Sequence, residues 1–179
     1  LPRSFGVVLV AVAAALWGLD AWIRAPLAQT TAVATIVFGE HLVLVLLTLP
    51  FLAGALAAVV RLGPRHLLAA VVIGAGSSAV ATILFTQAFV DGHDFVTPVV
   101  LQKVQPVIAV VAAGVVLGER PRARFAFYFL PALAGVWLMG VPHPLHPTVH
   151  GLKPTLYALG AAVLWALGTV LGRYLARDM

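Results

Sequence analysis

Six long apolar runs, separated only by short breaks of charge, Pro or Gly, constrain this chain more than any other feature. They cover about 5–23, 31–60, 67–90, 96–118, 125–141 and 152–175. A helix needs about 20 apolar residues to cross a hydrocarbon core, and each run comes near that length. The second is too long for one upright crossing and must tilt, protrude or bend near Pro50. The fifth is the shortest and contains Pro131. Composition agrees: charged residues are 9% of 179, whereas soluble domains carry about 25%. Lipid is the solvent that tolerates such a surface, so the expected fold class is an all-α polytopic membrane protein with six transmembrane helices.

The formal net charge of +5 does not imply nucleic acid, because the basic residues are scattered singly with no basic face. They instead set topology. With the N-terminus in the cytoplasm, Arg3, Arg61, Arg65, Arg120, Arg122, Arg124, Arg173 and Arg177 fall inside. Only Arg24 and Lys153 lie at outer ends, and Lys103 lies within the fourth run. This bias predicts a multi-pass protein of the cytoplasmic (inner) membrane with a cytoplasmic N-terminus. Cysteine is absent, which removes disulfides, thiolate metal sites and cysteine nucleophiles together.

An internal repeat is visible. Ala13–Leu19 (AAALWGL) resembles Ala161–Leu167 (AAVLWAL), and each is followed by Leu-Ala at Leu27-Ala28 and Leu175-Ala176. A repeat unit of five helices is odd, so the sixth helix must run opposite to the first. That is the inverted duplication of many secondary transporters, whose substrate site lies between the halves. The expected domains are 1–141 as one five-helix repeat, 142–151 as an outer linker, and 152–179 as the first helix of a second repeat. The chain reads as a fragment of a longer, ten-helix protein.

Pro106-Val107-Ile108-Ala109 leads through small and β-branched residues to Leu117-Gly118-Glu119-Arg120, and Trp17-Gly18 closes an Ala-Leu run in the first helix. With these residues the sequence resembles the drug/metabolite transporter superfamily, in its EamA-type permease branch. The resemblance implies a 5+5 inverted-repeat fold and secondary transport of small organic metabolites by alternating access. It implies no particular substrate and no cofactor. The chain departs from the family in carrying Glu40-His41 early in the second helix, where many members have Arg.

Ionisable groups in hydrocarbon are costly, so each needs a reason. Asp20, Arg24, Glu40, His41, Gln87, Gln102, Lys103 and Gln105 all fall at similar depth in the outer half, on four helices. A bundle could gather them into one polar cavity, with Trp17 and Pro106 beside them. Lys103 is the sharpest candidate, as a substrate anion anchor or a fixed partner of Asp20 or Glu40. Glu40 could carry a coupling proton or serve only as that partner, and sodium is the other candidate coupling ion. His41 points about 100° from Glu40, so one of the two is expected to face the cavity. Asp20 and Arg24, spaced i, i+4, read best as a solvated pair at the rim. Pro106 frees the Gln102 carbonyl. Gly114 and Gly118 permit close helix approach, within the bundle first and in a homodimer second.

Three alternatives stand beside the transporter. One is a non-transporting membrane scaffold or assembly subunit. A weaker one is a metal-ion transporter using His143, His146 and His150, which lie in a Pro-rich stretch better read as a stiff linker. An enzyme is disfavoured because there is no protease-like acidic pair, and no histidine is expected level with Ser77-Ser78.

Overall fold

The computed structural model describes residues 3–93, 96–119, 122–140 and 151–178, all in helices and short connections. The helices are α1 (Arg3–Thr30), α2 (Val33–Leu62), α3 (Pro64–Gly92), α4 (Val96–Gln102), α5 (Gln105–Leu117), α6 (Ala123–Gly140) and α7 (Leu152–Asp178). Among the described residues five stretches, α1, α2, α3, Pro98–Leu117 and α7, are long and apolar enough to cross a membrane. Helix α6 adds an apolar helix of 18 residues. The chain is therefore an all-helical, multi-pass membrane protein. Arg120 and the stretch holding His143, His146 and His150 lie outside the described residues.

The second run forms an unbroken helix of 30 residues with Pro50 inside it. At 1.5 Å per residue this is about 45 Å, well beyond a hydrocarbon core of ~30 Å, so α2 tilts or projects from the bilayer. The fourth run departs from expectation. It is not one smooth helix but two, α4 and α5, joined by a tighter turn at Lys103-Val104. The Lys103 and Val104 amides donate to the carbonyls of Val100 and Leu101, three residues back. Pro106 causes the change, since it has no N–H to return to Gln102 and its ring crowds that carbonyl.

Helix α3 carries a nine-residue π-helical stretch, Val72–Val80. Such turns are rare and lodge an extra residue inside a helix. Here it brings Ser77 hard against Gly168 of α7: a Cβ placed on Gly168 would lie 2.4 Å from the Ser77 Cβ.

Helix α7 is the packing centre. Ala158, Ala162, Ala166 and Val170 recur every four residues, and all are buried. A stripe of small side chains lets neighbouring backbones approach closely, which is how helices associate where water provides no hydrophobic drive. Ala161 joins Phe85 and Phe89 of α3 in the core, with Trp165, Leu84, Val99 and Ala25 packed around it. By contrast α1 and α2 present apolar side chains outward, such as Trp22, Leu47 and Phe51. That pattern suits lipid, which tolerates an apolar exterior.

Polar contacts fix the helix directions. Lys153 at the start of α7 pairs with Asp91 at the end of α3, 2.8 Å away. At the other end, His66 near the start of α3 pairs with Asp178 at 2.7 Å and stacks on Tyr174. So α3 and α7 are antiparallel. Arg24 late in α1 meets Thr86 late in α3, so α1 runs with α3 and opposite to α7. Their central tryptophans, Trp17 and Trp165, meet edge-to-face at 5.6 Å between ring centroids.

Glu119 follows Gly118, which ends α5 in the left-handed region at φ 67°. Gly114 and Gly118 therefore do not share a helical packing face; the second has already left the helix. Glu119 then accepts from Arg173 Nε of α7 at 2.7 Å and from Arg177. The Arg173 hydrogen bond, joined by that of Arg177, holds the Glu119 carboxyl below its ordinary value of 4.5. A depressed carboxylate supports the fold above its unfolded pKa, and that support fades as pH falls through the folded value.

Two predictions follow from α7. Gly168→Ala will destabilise the purified protein by about 1–3 kcal/mol in thermal unfolding. Ser77→Gly added to it will restore much of the loss. Glu119→Gln will lower the melting temperature at neutral pH and flatten its further fall on acidification below about pH 4.5.

Candidate functional site

The site grows from one hydrogen-bonding face of α3. Ser78, Thr82 and Thr86 are spaced four apart, and each threonine hydroxyl donates 2.7 Å to the carbonyl of the preceding member of the series. With its proton committed, the Thr86 oxygen offers lone pairs outward. Arg24 Nη1 donates to it at 3.1 Å.

Arg24 is the hub. Its Nε and Nη2 form a forked pair with the two Asp20 oxygens, both at 2.9 Å. Nη2 also lies 2.6 Å from Glu40 Oε1. One guanidinium thus joins α1, α2 and α3, and it is only 7% exposed. Both carboxylates keep about a third of their surface open, at 38% for Asp20 and 34% for Glu40. The rim-pair reading of Asp20 and Arg24 is therefore corrected. Burial favours exact use of arginine's planar fork, since an unpaired charge there would be costly. Glu40 belongs to Arg24, not to Lys103.

His41 also turns to the site, so it and Glu40 face the same space. The neighbouring positions differ by about 100°, but the long Glu40 arm reaches back to Arg24. His41 Nδ1 lies 2.8 Å from the Val37 carbonyl, which makes it the donor. In the neutral ring Nε2 then accepts from the Ser78 hydroxyl at 2.9 Å. A histidine does lie level with Ser78, contrary to expectation. The pair differs from a hydrolytic dyad in that a backbone carbonyl, and no carboxylate, orients the ring.

Two cavities meet here. One of about 290 Å³ is lined by Asp20, Arg24, Glu40, His41, Ser78 and Thr82, with Trp17, Phe85 and Trp165 as aromatic walls. The other, about 460 Å³, is lined by Gln102, Lys103, Gln105 and Pro106, with Ala14, Gly18 and Val99. Trp17 and Phe85 belong to both. Both volumes fall near or within the ~300–1,000 Å³ range of small-molecule sites. Lys103 is exposed and forms no ion pair among the described residues. Gln102 is 7% exposed. The lysine in the break of the fourth run thus stands opposite the carboxylates, with an aromatic partition between.

Of the polar residues grouped by depth, only Gln87 turns elsewhere: its amide donates to Asp91 at 2.8 Å. Phe85, Trp165, Ser78, Thr82 and Thr86 were not anticipated as site residues. The four-residue spacing of the three hydroxyls was a legible signal, whereas the recruitment of α7 through Trp165 required the fold. Among the described residues no group of three or more His, Asp or Glu side chains forms a metal-holding cluster.

Over 97% of the chain, the sequence is 28% identical to the riboflavin transporter ImpX of Fusobacterium nucleatum. The match covers 60% of that relative's length. No protein-family model and no solved structure matches the chain.

Because Arg24 holds three helices, Arg24→Ala strands two carboxylates. The loss will lie between the ~1 kcal/mol of an exposed pair and the ~3–5 kcal/mol of a buried one. Asp20→Asn, which leaves Glu40 and Thr86 on the arginine, will cost less. Denaturant or thermal unfolding in detergent will rank the two.

Proposed function

We propose that this chain forms the substrate-holding part of a secondary transporter for small organic metabolites bearing a planar ring. The observation that carries the reading is a pair of adjoining open clefts that share Trp17 and Phe85: the Arg24 cluster and Trp165 line one, and Lys103 lines the other. Such a site combines an apolar slot for a ring with a few placed polar groups for orientation. The likeness to a riboflavin transporter supports it, and makes a flavin the leading substrate.

The mechanism proposed is alternating access at the inner membrane, with the N-terminus cytoplasmic, in an EamA-type protein of the drug/metabolite transporter superfamily. The antiparallel α1 and α7, each with a tryptophan at mid-length, support an inverted repeat whose second unit begins at α7. In that scheme, the Arg24 cluster and Lys103 would both contact the substrate region as the two units rock about it.

Uptake into liposomes bearing the intact gene product tests this. Lys103→Ala will reduce riboflavin flux at least about tenfold, the scale expected when a charged contact to substrate is lost. Membrane insertion and melting temperature will be unchanged, because Lys103 holds no ion pair among the described residues. Absence of flux of riboflavin or of other planar metabolites in the unaltered protein would sink the transporter reading.

A further inference from the structure

The cavity is asymmetric in charge. Asp20, Glu40 and Arg24 together carry a net charge of −1 when both carboxylates are ionised. The arginine is not available to a ligand: four of its five N–H donors go to Asp20, Glu40 and Thr86, and it is 7% exposed. The Asp20 and Glu40 side chains, in contrast, are a third open, and their carboxylates are acceptors only. The narrower lobe therefore asks its ligand for O–H or N–H donors and repels anions. Beyond Trp17 and Phe85, the wider lobe offers the opposite: the Lys103 ammonium and the Gln102 and Gln105 amides, suited to carbonyl oxygens.

The geometry points to a flavin held in one orientation and to selection against its phosphate ester. The pyrimidinedione carbonyls face Lys103, the ring rests on Trp17 and Phe85, and the ribityl hydroxyls donate to Asp20 and Glu40. A 5′-phosphate at the end of that chain would meet two carboxylates and, among the described residues lining this lobe, an Arg24 already committed to them and a His41 already bonded to Ser78. Like charges brought together in a partly dry cavity are strongly disfavoured. The site thus takes riboflavin and rejects riboflavin 5′-phosphate. This inference rests on the flavin reading above.

Titration of the whole chain in lipid nanodiscs, read by quenching of flavin fluorescence, tests it with riboflavin, riboflavin 5′-phosphate and lumichrome, which lacks the ribityl chain. Riboflavin will bind at least about tenfold more tightly than its phosphate, and more tightly than lumichrome. Glu40→Gln will narrow the gap between riboflavin and the phosphate, and Asp20→Asn with Glu40→Gln will narrow it further by exposing the Arg24 charge. Equal or tighter binding of the phosphate in the unaltered protein overturns the inference while leaving the flavin reading intact. Equal binding of lumichrome and riboflavin overturns the ribityl contacts in the same way. If none of the three binds, the flavin reading itself fails and takes the inference with it. The comparison of ligands on the unaltered protein needs no variant to fold.

Discussion

A guanidinium cannot be left unpaired in a membrane, and the arrangement of the first three helices depends on that. Arg24 carries a permanent charge, so the bundle must supply partners wherever it is buried. Asp20 comes from its own helix, Glu40 from α2 and the Thr86 hydroxyl from α3. Once those bonds form, the rotation and depth of all three helices are set together. The same bonds leave the carboxylates half-open toward a cavity, so the contact that builds the bundle also decides what its interior presents.

Helix α7 supplies a second kind of constraint. Its middle is a stripe of alanines with almost no shape specificity beyond closeness, and its ends are held by charge. Lys153 is tied to Asp91 at one end, and Arg173 and Arg177 to Glu119 at the other. Small side chains allow sliding, whereas ion pairs at both ends do not, so register comes from the ends and proximity from the middle.

Much of the fold was legible beforehand because membrane solvation is a blunt rule: among the described residues the six apolar runs are helical, the fourth as two helices. The expected single polar cavity is divided in two: Asp20, Glu40 and His41 line one cavity and Gln102 and Lys103 the other, with Trp17 and Phe85 shared between them. What failed was pairing. Lys103 and Glu40 looked complementary in isolation, yet Arg24 took Glu40, since a forked donor can satisfy two carboxylates at once and an ammonium on a broken helix need not. Depth along a helix can be counted from sequence; the azimuth of each helix cannot, and the Ser78–His41 contact depends on azimuth. The break at Lys103 was not expected either: Pro106 was read only as freeing the Gln102 carbonyl, whereas the chain turns there from one helix into another.

The π-helical stretch in α3 bears on that azimuth. An α-helix advances about 100° per residue, so its two halves cannot normally be aimed independently. Widening Val72–Val80 inserts a phase offset in mid-membrane. The lower half can then keep His66 beside Asp178, while Ser78 of the widened stretch meets His41 and the upper half turns Thr86 to Arg24. Helix α3 thus behaves as two helices sharing one axis, each with its own heading. A deletion of one residue there would leave every side chain in place along the sequence but rotate one half's polar face away from the site.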